Sequence, residues 1–245
     1  MGRERQEIAE LREALAAHET EAAKKERQLE RYAADLRETF KQERARAAEL
    51  RESYVATVRA LANAVEARDA YTGKHAERVA AYGLEIARAG GLTLADDPQV
   101  EFGFLLHDIG KVAVPDAILF KPEPLTKDER RLMERHTVIG FEILRDVSFL
   151  GEAKAVVRSH HEHWDGCGYP DQLEGETIPL AARVFAVADT LDALTTDRPY
   201  RPGRSFADTR AIFTGASGTQ FDPDIVDVFM TMSDDVFERI QRDHS

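Results

Sequence analysis

Apolar residues recur at intervals of three and four along the N-terminal part of the chain: Ile8, Leu11, Leu15, Ala22, Leu29, Tyr32 and Leu36. After a phase slip the series continues through Phe40 and Ala47 to Leu50, Tyr54, Val58, Leu61 and Val65. This is a heptad pattern with a stutter, and neither glycine nor proline interrupts it between Arg3 and Thr72. The stripe is narrow and the residues around it are mostly charged. Such a stripe does not stabilise a lone helix, because isolated helices gain most of their stability by packing an apolar face. The pattern therefore predicts a coiled-coil helix over 1–52, a rod pairing in parallel with a second copy. His18 and Lys25 fall at seam positions and weaken that coil, and a solvated single helix held by Glu–Lys and Glu–Arg pairs is the alternative.

Near Arg51 the apolar density rises, and a globular body is predicted over 53–245. Its pattern has the helical period. Helices are expected from Lys74 to Ala89, Asp97 to His107, Thr126 to Asp146, Gly151 to His160, Pro179 to Thr195 and Asp222 to Gln241, several of them opened by Gly, Pro, Thr or Asp. Strand-like alternation is almost absent, so the fold class is all-α.

Composition narrows the picture. With 43% hydrophobic residues the chain can build a real core, yet no apolar run is long enough for a membrane span. The opening residues 1–7 lack the apolar stretch of a secretion signal, and the expected location is cytoplasmic. A single cysteine, Cys167, excludes an intrachain disulfide; between Gly166 and Gly168 it reads as a small turn residue. The net charge of −12 argues against a nucleic-acid polymer as partner. It leaves room for a small anionic substrate, since bound cations would reverse the sign locally.

Candidate chemistry lies between His75 and Asp189. His75, the pair His107-Asp108, His136, the doublet His160-His161 and Asp189 offer more imidazole and carboxylate donors than one ion needs. His107-Asp108 closes an otherwise apolar run from Phe102, and buried charges of that kind need partners or a metal. Neutral imidazole with carboxylate suits iron or manganese, and two such ions can clamp the attacking and leaving oxygens of a phosphate ester. Lys111, four residues after His107, would share its face on a continuing helix. The segment Asp165-Gly166-Cys167-Gly168-Tyr169-Pro170 cannot be ordinary helix and follows the doublet as a loop. Trp164 is expected to pack under it, with Glu162 and Asp165 bracing the histidines. Asp192, one turn after Asp189, is expected to be a supporting carboxylate. Arg198 and Arg201 are candidate phosphate contacts.

Four stretches carry a resemblance to a known family: residues 69–75 (DAYTGKH), 107–111 (HDIGK), 160–170 (HHEHWDGCGYP) and 189–201 (DTLDALTTDRPYR). Together they resemble the HD-GYP branch of the HD phosphohydrolases over roughly Arg51 to Phe237. The resemblance implies an HD-type helical bundle that hydrolyses cyclic di-GMP to linear pGpG or GMP, through a hydroxide held between metal ions. It implies His75, His107, Asp108, His136, His160, His161 and Asp189 as ligands of two divalent ions, with Asp108 bridging them. Asp108 and Lys111 are then catalytic, and Lys111, Tyr169, Arg198 and Arg201 meet substrate. Some members place an acidic residue one turn before the first ligand histidine and gather a third ion; Tyr71 stands there, which suggests two. The rod is expected to dimerise the chain or connect it to a sensory partner, and a diguanylate cyclase is a further candidate partner. The alternatives are an HD-type hydrolase for another cyclic dinucleotide or nucleotide, and a nucleotide-binding signalling module without turnover.

Overall fold

The computed structural model describes residues 2–68, 74–197 and 202–244, and among them every regular element is helical. Two compact units are distinguished, Met1–Tyr54 and Val55–Ser245. The first consists of one long helix, α1 (Gly2–Glu66), up to Tyr54. Its seam residues Leu11, Leu15, Leu29, Leu36 and Phe40 are exposed.

The last turns of α1 belong to the second unit and bury Val58, Ala62 and Val65. The heptad had placed Leu61 on the buried side, but Leu61 is exposed. Positions i, i+4 and i+7 make a helical face as readily as i, i+3 and i+7, and the packing surface chooses between them.

Helix α2 (His75–Ala89) buries Ala76, Val79, Ala80, Tyr82, Gly83 and Ile86, an apolar face of helical period. Helix α3 (Pro98–Leu106) starts where expected, with Pro98 in its first turn and the Asp97 carboxylate accepting from the Gln99 amide. It is mostly apolar, buries Val100 and Phe102 to Leu106, and packs between α2 and α7 (Gly151–Ser159). Helix α8 (Leu180–Thr195) covers the other side of α2. A short helix α4 (Asp116–Leu119) follows α3, and α9 (Phe206–Ala216), capped by Ser205, follows α8. Neither of these two was predicted.

Three departures from the sequence pattern have identifiable causes. The expected helix Thr126–Asp146 is two, α5 (Lys127–Glu134) and α6 (His136–Leu144). At the joint the His136 ring and the Thr137 hydroxyl donate to the carbonyls of Met133 and Glu134, taking acceptors at the end of α5. The expected helix Asp222–Gln241 is α10 (Pro223–Thr231) and α11 (Asp234–Asp243). There the Arg210 guanidinium takes the carbonyls of Phe229 and Met232, and Ser233 caps α11. Finally, α3 does not continue past His107: Asp108 leaves the helical path and residues Ile109–Ala113 form a 3₁₀ turn. Gly110 in that turn lies against α6 so closely that a β-carbon would sit 1.9 Å from the His136 carbonyl oxygen. This contact sets Asp108 beside His136.

Under the site the core is Phe104, Phe185, Val184 and Leu191; farther away Phe213, Phe221, Phe229, Phe237 and Tyr82 form a chain of tilted and edge-on rings 4.8–5.8 Å apart. Truncating any of these phenylalanines to alanine is expected to cost about 3–5 kcal/mol.

Candidate metal centre

The ends of α2, α3, α6 and α7, with Asp189 from the middle of α8, bring the seven side chains from His75 to Asp189 together. His107, His136 and His160 use one device: each ring Nδ1 faces the carbonyl three residues earlier, Phe104 at 2.9 Å, Met133 at 2.8 Å and Val157 at 2.9 Å. A carbonyl only accepts, so Nδ1 carries a proton in all three rings, and Nε2 is the nitrogen turned inward.

Two groups result, His136 with His160 and His161, and His75 with His107 and Asp189; within each the ligand atoms lie within 4.8 Å of one another. Asp108 stands between them. Its Oδ2 is 3.0 Å from His107 Nε2 and 2.7 Å from Lys111 Nζ, while Oδ1 is 3.4 Å from His136 Nε2 and 4.0 Å from His160 Nε2. Oδ1 is buried without a hydrogen-bond donor. The Nε2 atoms of His136 and His160 face each other at 3.2 Å. Lone pairs aimed at one another repel unless a cation lies between, and two nitrogens bound to one ion at about 2.1 Å would be roughly 3.0–3.4 Å apart. The orphaned carboxylate oxygen and the facing nitrogens thus fit a metal ion.

The second group is braced differently. The His75 Nδ1 donates to Asp192 at 2.7 Å, and Nε2 faces Asp189 at 3.3 Å. Asp192, fully buried, also accepts from Arg78 Nε at 2.6 Å and Nη2 at 3.0 Å and from the Thr196 hydroxyl at 3.2 Å. Arg78 escaped the sequence reading. The available signal was an arginine on the apolar face of α2 beside Val79 and Tyr82, one turn after His75.

The titration behaviour separates the two groups. Burial, then repulsion from the other imidazoles, pushes His160 far below the ordinary histidine value, and His161 is pushed down to about 4 by burial and His136. Burial also lowers His136, despite the attraction of Asp108. These three are neutral at physiological pH, the form that binds metal. For His75 burial acts downward, but hydrogen bonds to Asp189 and Asp192 and their charges outweigh it, raising the ring to about 10. Against their own burial, Asp108 is held well below the carboxylate range by His107 and Lys111, and Asp189 is lowered by His75.

Lys111 does not sit one turn along from His107 on a continuing helix, because the helix has ended; the 3₁₀ turn pairs it with Asp108 instead. After α7 the loop departs from a second expectation. Glu162 does not brace the histidines: its carboxylate accepts from the amides of Asp171 at 2.7 Å and Leu173 at 3.1 Å. Asp165 closes a turn by accepting from Cys167 N. Trp164 lies against Gly175 and under the Arg183 guanidinium, 5.8 Å from its centroid. Tyr169 stacks on His161, with centroids 4.7 Å apart and planes inclined by 30°. Tyr71, Arg198 and Arg201 lie outside the described residues.

An all-helical body with a His-Asp doublet at its centre defines a domain of the HD type. The family model for the HD domain matches residues 59–225, and the chain belongs to that family, in the HD-GYP branch whose two signatures it carries. It is 40% identical over 176 residues to the cyclic di-GMP phosphodiesterase response regulator RpfG of Xanthomonas campestris, covering 71% of this chain and 47% of that one. It is 39% identical over 184 residues to the 3′3′-cGAMP-specific phosphodiesterase 2 of Vibrio cholerae, covering 74% and 35%. With a cyclic di-GMP phosphodiesterase of Thermotoga maritima it shares 35% identity, covering 73% and 49%. The chain thus spans between about a third and half of these relatives. In fold it is similar to a cyclic GMP-AMP-specific phosphodiesterase of V. cholerae, with a TM-score of 0.57 and 21% identity, covering 76% of this chain and 52% of that one. An HD-GYP-like protein of Bdellovibrio bacteriovorus gives 0.53 and 17%, covering 70% and 53%.

Proposed function

We propose that the chain is a metal-dependent phosphodiesterase that hydrolyses cyclic di-GMP to linear pGpG, GMP or both. The observation that carries this reading is Asp108, whose two oxygens face two separate groups of donors, one of those oxygens having no hydrogen-bond donor. His75, His107 and Asp189 would hold one divalent cation, His136, His160 and His161 another, with Asp108 shared. Iron or manganese matches this mixture of donors, and two such ions supply a nucleophilic water at neutral pH and positive charge for the phosphate oxygens.

The protein's own residues do the rest. Lys111, within 2.7 Å of Asp108, places a cation where the phosphate or the departing ribose oxygen would lie. Tyr169 offers an aromatic face to a guanine, and Arg198 and Arg201 bind the phosphates. The rod 1–52 pairs two copies in a cytoplasmic homodimer and links the body 53–245 to a sensory protein or a diguanylate cyclase; the exposed seam of α1 supports the pairing.

Relatives named as 3′3′-cGAMP-specific stand beside those named for cyclic di-GMP, so the mixed cyclic dinucleotide is a second reading. Hydrolysis rates for both compounds, measured after anaerobic loading with iron or manganese, decide between them. Cyclic di-GMP is expected to be the faster substrate, and faster turnover of cGAMP would overturn that choice. Bound nucleotide with no product over long incubation would replace the enzyme by a binding module.

A further inference from the structure

We propose that Glu162 is a positioning residue for substrate: it locks the loop that holds Tyr169 over the metal centre. The inference rests on the proposed contact between Tyr169 and the dinucleotide. Three consecutive residues would then have distinct tasks, His160 and His161 facing the metal position and Glu162 turned away to hold the loop.

The loop is fastened at several points. Glu162 is buried three residues after α7, and its carboxylate accepts from the amides of Asp171 and Leu173, just beyond Tyr169, and is also bonded by the Gln172 amide between them. On the outer side Arg158, one turn before Glu162, forms a two-pronged ion pair with Asp171 at 2.6 and 2.8 Å. Between the anchors the Tyr169 amide donates to the His161 carbonyl at 3.1 Å. Gly168 passes so close that a β-carbon would stand 2.5 Å from Glu162 Cα and 2.3 Å from His163 N. The backbone on both sides of Tyr169 is therefore pinned to the segment bearing His161, which accounts for the stacking of the two rings.

A carboxylate here offers acceptor oxygens to all of these amides, and a side-chain amide has only one such oxygen. A glutamine here keeps the shape but turns an NH₂ group toward part of this set, leaving at least one amide without an acceptor.

The test is a double-mutant cycle in the full chain, loaded with manganese and assayed on cyclic di-GMP. Glu162→Gln is expected to raise KM about tenfold, the size of one lost buried hydrogen bond, with kcat changed much less. Bound manganese per chain should stay as in the parent, and the effect should vanish in a Tyr169→Ala background. The emission of Trp164, the one tryptophan of the chain, and the melting curve report whether the variant folds. Should Glu162→Gln fail to fold, Arg158→Gln breaks the outer ion pair and is expected to raise KM by a smaller factor, again only where Tyr169 is present. Loss of manganese, or an effect that persists without Tyr169, would overturn the positioning role. So would an unchanged KM in Glu162→Gln when Tyr169→Ala raises it, which leaves the tyrosine contact standing. An unchanged KM in Tyr169→Ala would instead remove that contact, and the positioning role with it.

Discussion

His136, His160 and His161 present three neutral imidazoles, whereas His75, His107 and Asp189 present two imidazoles and a carboxylate backed by the buried Asp192–Arg78 pair. The first group has no negative charge of its own and relies on Asp108 for it. In the second, His75 is enclosed by two carboxylates and is raised to about 10 when no cation is present. The difference teaches that two donor groups flanking one aspartate can differ in charge: the first is neutral without a cation, and in the second a proton stands where a cation would bind.

Three experiments break or sharpen this contrast. Asp108→Ala removes the one carboxylate the two groups share, and turnover is expected to fall at least about a thousandfold with helix content retained. Metal should be lost first from the all-imidazole group, which is left with no anionic ligand; unchanged turnover would take Asp108 out of the mechanism.

Asp192→Asn strips the brace from His75 only. Affinity at that group is expected to fall about 10- to 100-fold, as is usual when the partner of a ligand histidine is removed. Because the buried Arg78 would lose the charge of the carboxylate it pairs with in two hydrogen bonds, the melting curve should also show a loss on the order of 3 kcal/mol. An equal loss of metal from both groups, read by titration of the variant, would contradict the division.

The smallest effect is a count of protons. The raised value of His75 means that its ring is protonated at pH 7 and must release that proton when a cation arrives, with release fading as pH passes about 10. His161, lowered to about 4, is already neutral well below pH 7 and has no proton to give. Calorimetry in buffers of different ionisation enthalpy should therefore find about one proton released on filling the His75 group and none on filling the other. Release from neither would refute the contrast.

Much of the fold was legible in the sequence wherever a helix announces its own start, as Asp97-Pro98 and Asp222-Pro223 do. The breaks at Arg135 and Ser233 were not legible, since they depend on His136, Thr137 and Arg210 reaching particular carbonyls. The same limit applied to Lys111, whose direction is set by a 3₁₀ turn pressed against α6 through Gly110. Residue types from His75 to Asp189 suggested donors for metal; that they divide into two groups around Asp108 is a property of tertiary packing. Glu162 was misread for that reason, because its side chain turns toward the amides nine and eleven residues onward.

The count of metal ions per chain tests the central claim most directly. After anaerobic reconstitution with iron or manganese and removal of loosely held ions, elemental analysis should give about two ions per chain, one for each group flanking Asp108. A reproducible one, with all seven donors intact, would contradict the shared-carboxylate centre, and a reproducible three would contradict the restriction to two.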